Sequence, residues 1–135
     1  MPNVLIVPGG GFGSTQDQLI AYANEVNVSN NTNQDLFSIS PPYGNYLALS
    51  KTLFIANVGA TFLYSWLNNL SQTQVDAAIT MADSLQTGAY TQKNISNWEY
   101  FTVNLANPTI YASVYATYPS GTLMASGRLF LLQMP

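Results

Sequence analysis

The chain has no cysteine and no histidine. That removes disulfides, thiolate and imidazole metal ligands, and both Ser-His-Asp and Cys-His catalytic machinery. Charge is scarce too: 7% of residues are charged, against roughly 25% in an ordinary soluble domain. Three basic residues (Lys51, Lys93, Arg128) face six acids, too few cations to neutralise a nucleic-acid backbone. No apolar run reaches the about twenty residues of a spanning helix. The longest, 53–67, is interrupted by Asn57, Thr61 and Ser65; it reads as core, and membrane contact is not indicated. Met1 leads directly into a strand-like segment without basic and apolar leader regions, so no secretory signal is expected.

What is present points to a packed domain. With 135 residues, 47% of them hydrophobic, the chain is long enough to bury a core without metals or staples, and one domain over 1–135 is expected. Polarity comes from Asn, Ser, Thr and Gln, together about a third of the residues. Such a surface suits burial in an assembly, where each charge must be paired or expelled. It also suits acid: protonating every carboxylate moves the formal charge only from −3 to +3, so self-repulsion stays small.

Along the chain, residues 3–7 form an apolar strand stopped by Pro8. Thr15 with Gln18 makes a capping-box pattern, and Leu19, Ile20, Ala23 and Val26 fall on one helical face. Residues 36–40 are strand-like. Residues 46–67 have an ambiguous period, strand or helix, with Gly59 marking a bulge or a close approach in the strand reading. A second helix is expected from Ser71 and Gln74 through Val75, Ala78, Ile79, Ala82 and Leu85 to Gly88. Residues 98–105 alternate weakly. Residues 109–118 alternate cleanly, with Ile110, Ala112, Val114 and Ala116 on one face and Tyr111, Ser113, Tyr115 and Thr117 on the other. Pro119-Ser120-Gly121 fits a turn, so 109–133 reads as a hairpin whose return strand is apolar on both faces. The expected fold is mainly β: a small antiparallel sandwich of single jelly-roll type with one or two helices in its connections. An α+β layer fold is the alternative.

The glycine loop after the first strand resembles a nucleotide site at first sight. Gly9, Gly10, Gly11 and Gly13 never give G-x-G-x-x-G, and no lysine precedes Lys51 to complete a phosphate loop. G-x-S-x-G is missing as well. Backbone amides at Gly11, Gly13, Ser14 and Thr15 remain the only anion-loop candidates, with Asp17 opposing an anion there. No catalytic residue, cofactor or metal is therefore expected, and the chain does not read as an enzyme.

Nine Tyr, six Phe and two Trp suit core and interface, and they also suit a carbohydrate-binding or adhesive module. Tyr111, Tyr115, Phe130 and Leu132 are the candidate assembly-interface residues. Four N-x-[ST] sequons, at Asn27, Asn30, Asn69 and Asn94, are candidate glycosylation sites.

The composition rich in Asn, Thr and Tyr, poor in charge and without cysteine, together with the late β-pattern, resembles that of capsid and other virion proteins of viruses infecting thermoacidophilic archaea. The resemblance implies a jelly-roll coat protein, made in the host cytoplasm and located in the virion. Its implied partners are copies of itself and other virion proteins, with nucleic acid left to other components. A carbohydrate-binding module, an extracellular filament subunit and a glycine-loop anion binder stand as the other readings.

Overall fold

The regular structure consists entirely of strands among the residues that the computed structural model describes, 3–7, 18–56, 60–69, 81–85 and 91–135. In chain order they are β1 (Asn3–Val7), β2 (Gln18–Asn27), β3 (Gln34–Ile39), β4 (Gly44–Ala56), β5 (Ala60–Asn68), β6 (Met81–Leu85), β7 (Thr91–Val103), β8 (Ile110–Thr117) and β9 (Leu123–Met134). They form a five-stranded sheet in the order β1-β2-β9-β4-β7 and a four-stranded sheet in the order β3-β8-β5-β6. Every pairing between strands is antiparallel.

The pairings follow one rule. β2 pairs with β9, β3 with β8, β4 with β7 and β5 with β6. The chain is thus a long antiparallel ribbon bent back at its middle. Wrapping it brings β4 beside β9 and β5 beside β8, which closes the two sheets. That is a jelly roll, with β1 added at one edge.

The alternation expected of 109–118 is borne out: Ile110, Ala112, Val114 and Ala116 are all buried. They meet Tyr46, Phe54, Leu129 and Leu131 from the five-stranded sheet in one apolar core. The hairpin reading of 109–133 is corrected. β8 and β9 lie in different sheets, and Pro119-Ser120-Gly121 sits in the crossing between them. Either arrangement points the same alternating residues at the core, so periodicity cannot separate them.

The expected helices are corrected too. Gln18–Asn27 is β2. A register shift between Ala23 and Val26, with Glu25 at φ 47°, is a bulge that inserts an extra residue. Ala23 then lies three residues from the next core-facing position, and the bulge imitates a helical period. Of the second expected helix, residues 71–80 and Gly88 lie outside the described residues, while Ala82 and Leu85 fall in β6. Segment 46–67 resolves into β4 and β5; Gly59 lies outside the described residues.

Two positions show how closely the structure fits. A Cβ added at Gly127 would lie 2.6 Å from Leu36 Cδ2 and 2.8 Å from Phe37 Cε1, both in buried residues of the facing sheet. Gly127→Ala is expected to destabilise the fold by about 1–3 kcal/mol through overpacking, measured by urea denaturation. Tyr46 is buried and its hydroxyl donates to Pro42 O at 2.7 Å. Burial raises its pKa above the ordinary phenol value, so the neutral form favours folding. That contribution is present below the unfolded-state pKa and is lost as pH rises through the folded one. Tyr46→Phe should cost about 1 kcal/mol at neutral pH and flatten the alkaline limb of the stability profile.

Candidate assembly face

β4 explains the ambiguous period of 46–67. Its core-facing residues are Tyr46, Ala48, Ser50, Thr52, Phe54 and Ala56, all buried. Its opposite phase carries Leu47, Leu49, Leu53 and Ile55. The outward side of the strand is therefore as apolar as the inward one, and no hydrophobic alternation appears.

Cross-strand register extends this outward phase into two rows. Trp98, Leu49 and Phe130 stand side by side on β7, β4 and β9, and Tyr100, Leu47 and Leu132 form the next row. Trp98 is 62% exposed, Tyr100 59% and Leu49 42%. The Trp98 and Tyr100 rings meet edge to face, 5.7 Å apart, a favourable aromatic geometry. A shallow, open depression of about 470 Å³ lies against Leu49, Trp98 and Phe130. On one side the rows end at a hydrogen bond from Thr102 Oγ1 to Asn45 Oδ1, 2.8 Å. On the other they end at a polar row of Ser96, Lys51, Arg128 and Tyr22. The six residues of the two rows carry no charge.

The four expected interface residues divide between the two outer faces. Phe130 and Leu132 belong to the apolar rows just described. Tyr111 and Tyr115 stand half-buried on the four-stranded sheet, where Phe62, Tyr64 and Tyr115 make a ring ladder with centroids 6.0 and 5.8 Å apart. On that second face Trp66 and Ser113 are buried, and Ser113 Oγ donates to Asp35 Oδ1 at 2.7 Å. The Tyr115 hydroxyl donates to Asn31 Oδ1 at 3.1 Å. Leu47, Leu49, Trp98 and Tyr100 are the residues that sequence reasoning missed. The available signal was that Leu47, Leu49, Leu53 and Ile55 share one phase of 46–56.

The anion-loop candidates Gly11, Gly13, Ser14 and Thr15 lie outside the described residues. Among the sequon asparagines, Asn30 has its Oδ1 engaged by the Tyr118 N–H at 2.9 Å. Asn27 and Asn94 are exposed and Asn69 is half-buried. Among the described residues no cluster of three or more Asp and Glu is placed to hold a metal ion. No helix there is long and apolar enough to cross a membrane.

Beneath the face, a polar cluster joins the sheets. The hydroxyls of Thr52 and Ser65 lie 2.9 Å apart, and Asn97 Nδ2 donates to Ser65 O at 2.9 Å and Ser65 Oγ at 3.1 Å. Among the described residues, Ser50 Oγ and Asn97 Oδ1 are buried without a partner. The two serines should therefore respond differently. Ser65→Ala leaves the Thr52 hydroxyl without its partner and Asn97 Nδ2 with only the Ser65 carbonyl, and should cost about 1–3 kcal/mol, whereas Ser50→Ala removes an unsatisfied hydroxyl and should be within about 0.5 kcal/mol of neutral. Thermal and urea melts of the two variants read the difference.

No family model and no curated protein matches this sequence. Among solved structures, the chain is similar to the tobacco streak virus coat protein, with 7% identity and a TM-score of 0.44 over 87% of this chain and 86% of that one. It is also similar to a chain in the structure of infectious bursal disease virus, Gx strain. There the identity is 15% and the TM-score 0.44, over 98% of this chain and 32% of that one.

Proposed function

We propose that this protein is a structural subunit of a virion, a small coat protein that assembles with copies of itself. The observation that carries the reading is the outer face of the five-stranded sheet, where two adjacent cross-strand rows of aromatic and aliphatic side chains stand uncharged and partly in water. An exposed apolar patch of this kind, rimmed by polar residues, marks an interaction surface. Trp and Tyr, prominent here, are enriched where interfaces derive their affinity. The closed two-sheet body supplies a rigid support for such a face.

The chemistry of the contact follows from the composition. Apolar rows dock against a neighbouring subunit, and amide and hydroxyl side chains around them supply hydrogen bonds. Few contacts depend on ionised carboxylates, so acid and salt leave the assembly intact. The reading places the protein in the virion, with the other virion components as further partners. The subunit itself has no enzymatic task, and nucleic acid is left to those components.

Light scattering and negative-stain microscopy at pH 3 and pH 7, each with and without molar salt, test this. Large regular shells, sheets or filaments are expected under all four conditions. Replacing both Leu49 and Trp98 by Ser should disperse them while leaving the β-sheet circular dichroism unchanged. A dispersed wild-type monomer under every condition, or a double variant that assembles as well as wild type, would overturn the proposal.

A further inference from the structure

Two of the chain's three cations, Lys51 and Arg128, are direct cross-strand partners on β4 and β9. Both are exposed, and they share the outward phase of the five-stranded sheet. Like charges placed directly opposite each other on a sheet are destabilising. Among the described residues neither cation has an ion-pair or hydrogen-bond partner. Glu25, on the β2 bulge with its N–H donated to Ser126 Oγ, pairs with neither. In a chain this poor in charge, an uncompensated cation pair is a costly feature, and an anion that binds between the two side chains offsets the cost.

The surroundings restrict what that anion is attached to. A depression of about 410 Å³ opens on the side of the pair away from Trp98 and Tyr100. It is lined by Lys51 and Arg128 together with Asn24, Gln92, Asn94 and Ser126. The size is that of a small-molecule site. A guanidinium offers parallel N–H donors that match a carboxylate, and the ammonium beside it adds a point charge. Three carboxamides supply both donors and acceptors, the complement of a ring bearing several hydroxyls. With a formal net charge of −3, the molecule as a whole repels a polyanion. One local charge on a polyhydroxylated body fits both constraints.

We infer that the Lys51–Arg128 pair and the carboxamides beside it form a binding site for a carboxylated sugar. The carboxylate lies between the ammonium and the guanidinium, and the ring hydroxyls bond to Asn24, Gln92 and Asn94. Both cations also border the apolar depression at Leu49, Trp98 and Phe130, but the sugar ring lies on their opposite side, against Asn24, Gln92 and Asn94.

The test is calorimetric titration of the full chain with 3′-sialyllactose, which carries one carboxylate, and with lactose as its neutral counterpart. Saturable binding of the sialylated sugar is expected, with lactose about tenfold weaker or worse. Arg128→Gln and Lys51→Gln should each weaken binding by about tenfold, while Lys51→Arg should stay within about threefold of wild type. Each Gln variant should melt no lower than wild type, because it relieves a like-charge contact; a purely structural role would lower the melting temperature. The double Ser variant at Leu49 and Trp98 should retain the sugar, which separates this site from the assembly face. Equal affinity for lactose, absence of saturable binding, or binding indifferent to Arg128→Gln would overturn the inference. So would tighter binding of an oligodeoxynucleotide, which would make the pair part of a polyanion surface.

Discussion

The structure depends on β4 being paired along its whole length on both sides. Asn45 through Ala56 meet Met134 through Leu123 on β9, and Gly44 through Ala56 meet Val103 through Thr91 on β7. The β4–β7 pairing belongs to the ribbon; the β4–β9 pairing is the wrap that makes a sandwich of it. Without the wrap, β9 would have only β2 as a neighbour, and the Lys51–Arg128 pair and the two apolar rows would not exist. The constraint is non-local throughout. Glu25 and Ser126, which meet across the edge of the same sheet, are 101 residues apart in sequence. Loop-closure entropy must be met before such contacts stabilise anything, so a topology of this kind folds slowly for its size.

A sheet held this way has two faces and one partner sheet. In most antiparallel sandwiches the outward phase is polar, and the inward phase alone carries the apolar residues. Here the inward phase of β4 includes Ser50 and Thr52, with Asn97 and Ser65 facing them, while the outward phase includes four aliphatic residues. The polar cluster between the layers satisfies most of its own groups through Ser65. Its hydrogen bonds tie the five-stranded sheet to β5, so they fix how the layers align as well as adding stability. The outward aliphatic residues have no such partner among the described residues. The asymmetry between the faces leaves an apolar patch on the outside of an otherwise closed fold.

Much of the fold was legible in the sequence, and what was not has identifiable physical causes. The clean alternation of Ile110, Ala112, Val114 and Ala116 announced a strand with one buried side, and the β-sandwich class followed from several such segments. Strand partners were not legible. The turn at 119–121 suits a hairpin and a sheet-to-sheet crossing equally, because the core-facing phase is the same in both. The β2 bulge gave Ala23 and Val26 a helical spacing that strand geometry alone would not produce. Within the candidate face, Phe130 and Leu132 were visible because β9 is apolar in both phases. Leu49 and Trp98 were not, since the first lay in a segment of mixed period and the second depends on a register that only the fold sets. Lys51 and Arg128 are 77 positions apart and become neighbours only through the wrap.

The scarcity of charge gives these two cations their weight. On a surface with many lysines and glutamates, an adjacent pair of cations has acids nearby and needs no special account. On this one, each charge is a large share of the total, and placing two of one sign in register adds a penalty that neighbouring residues do not relieve. The six residues of the apolar rows carry no charge themselves, and the two cations border their depression at Leu49, Trp98 and Phe130. One sheet face thus divides into two chemically distinct halves, and the boundary between them is the row of Ser96, Lys51, Arg128 and Tyr22. Because β4 and β9 run through both halves, a change of register between them would scramble the two together.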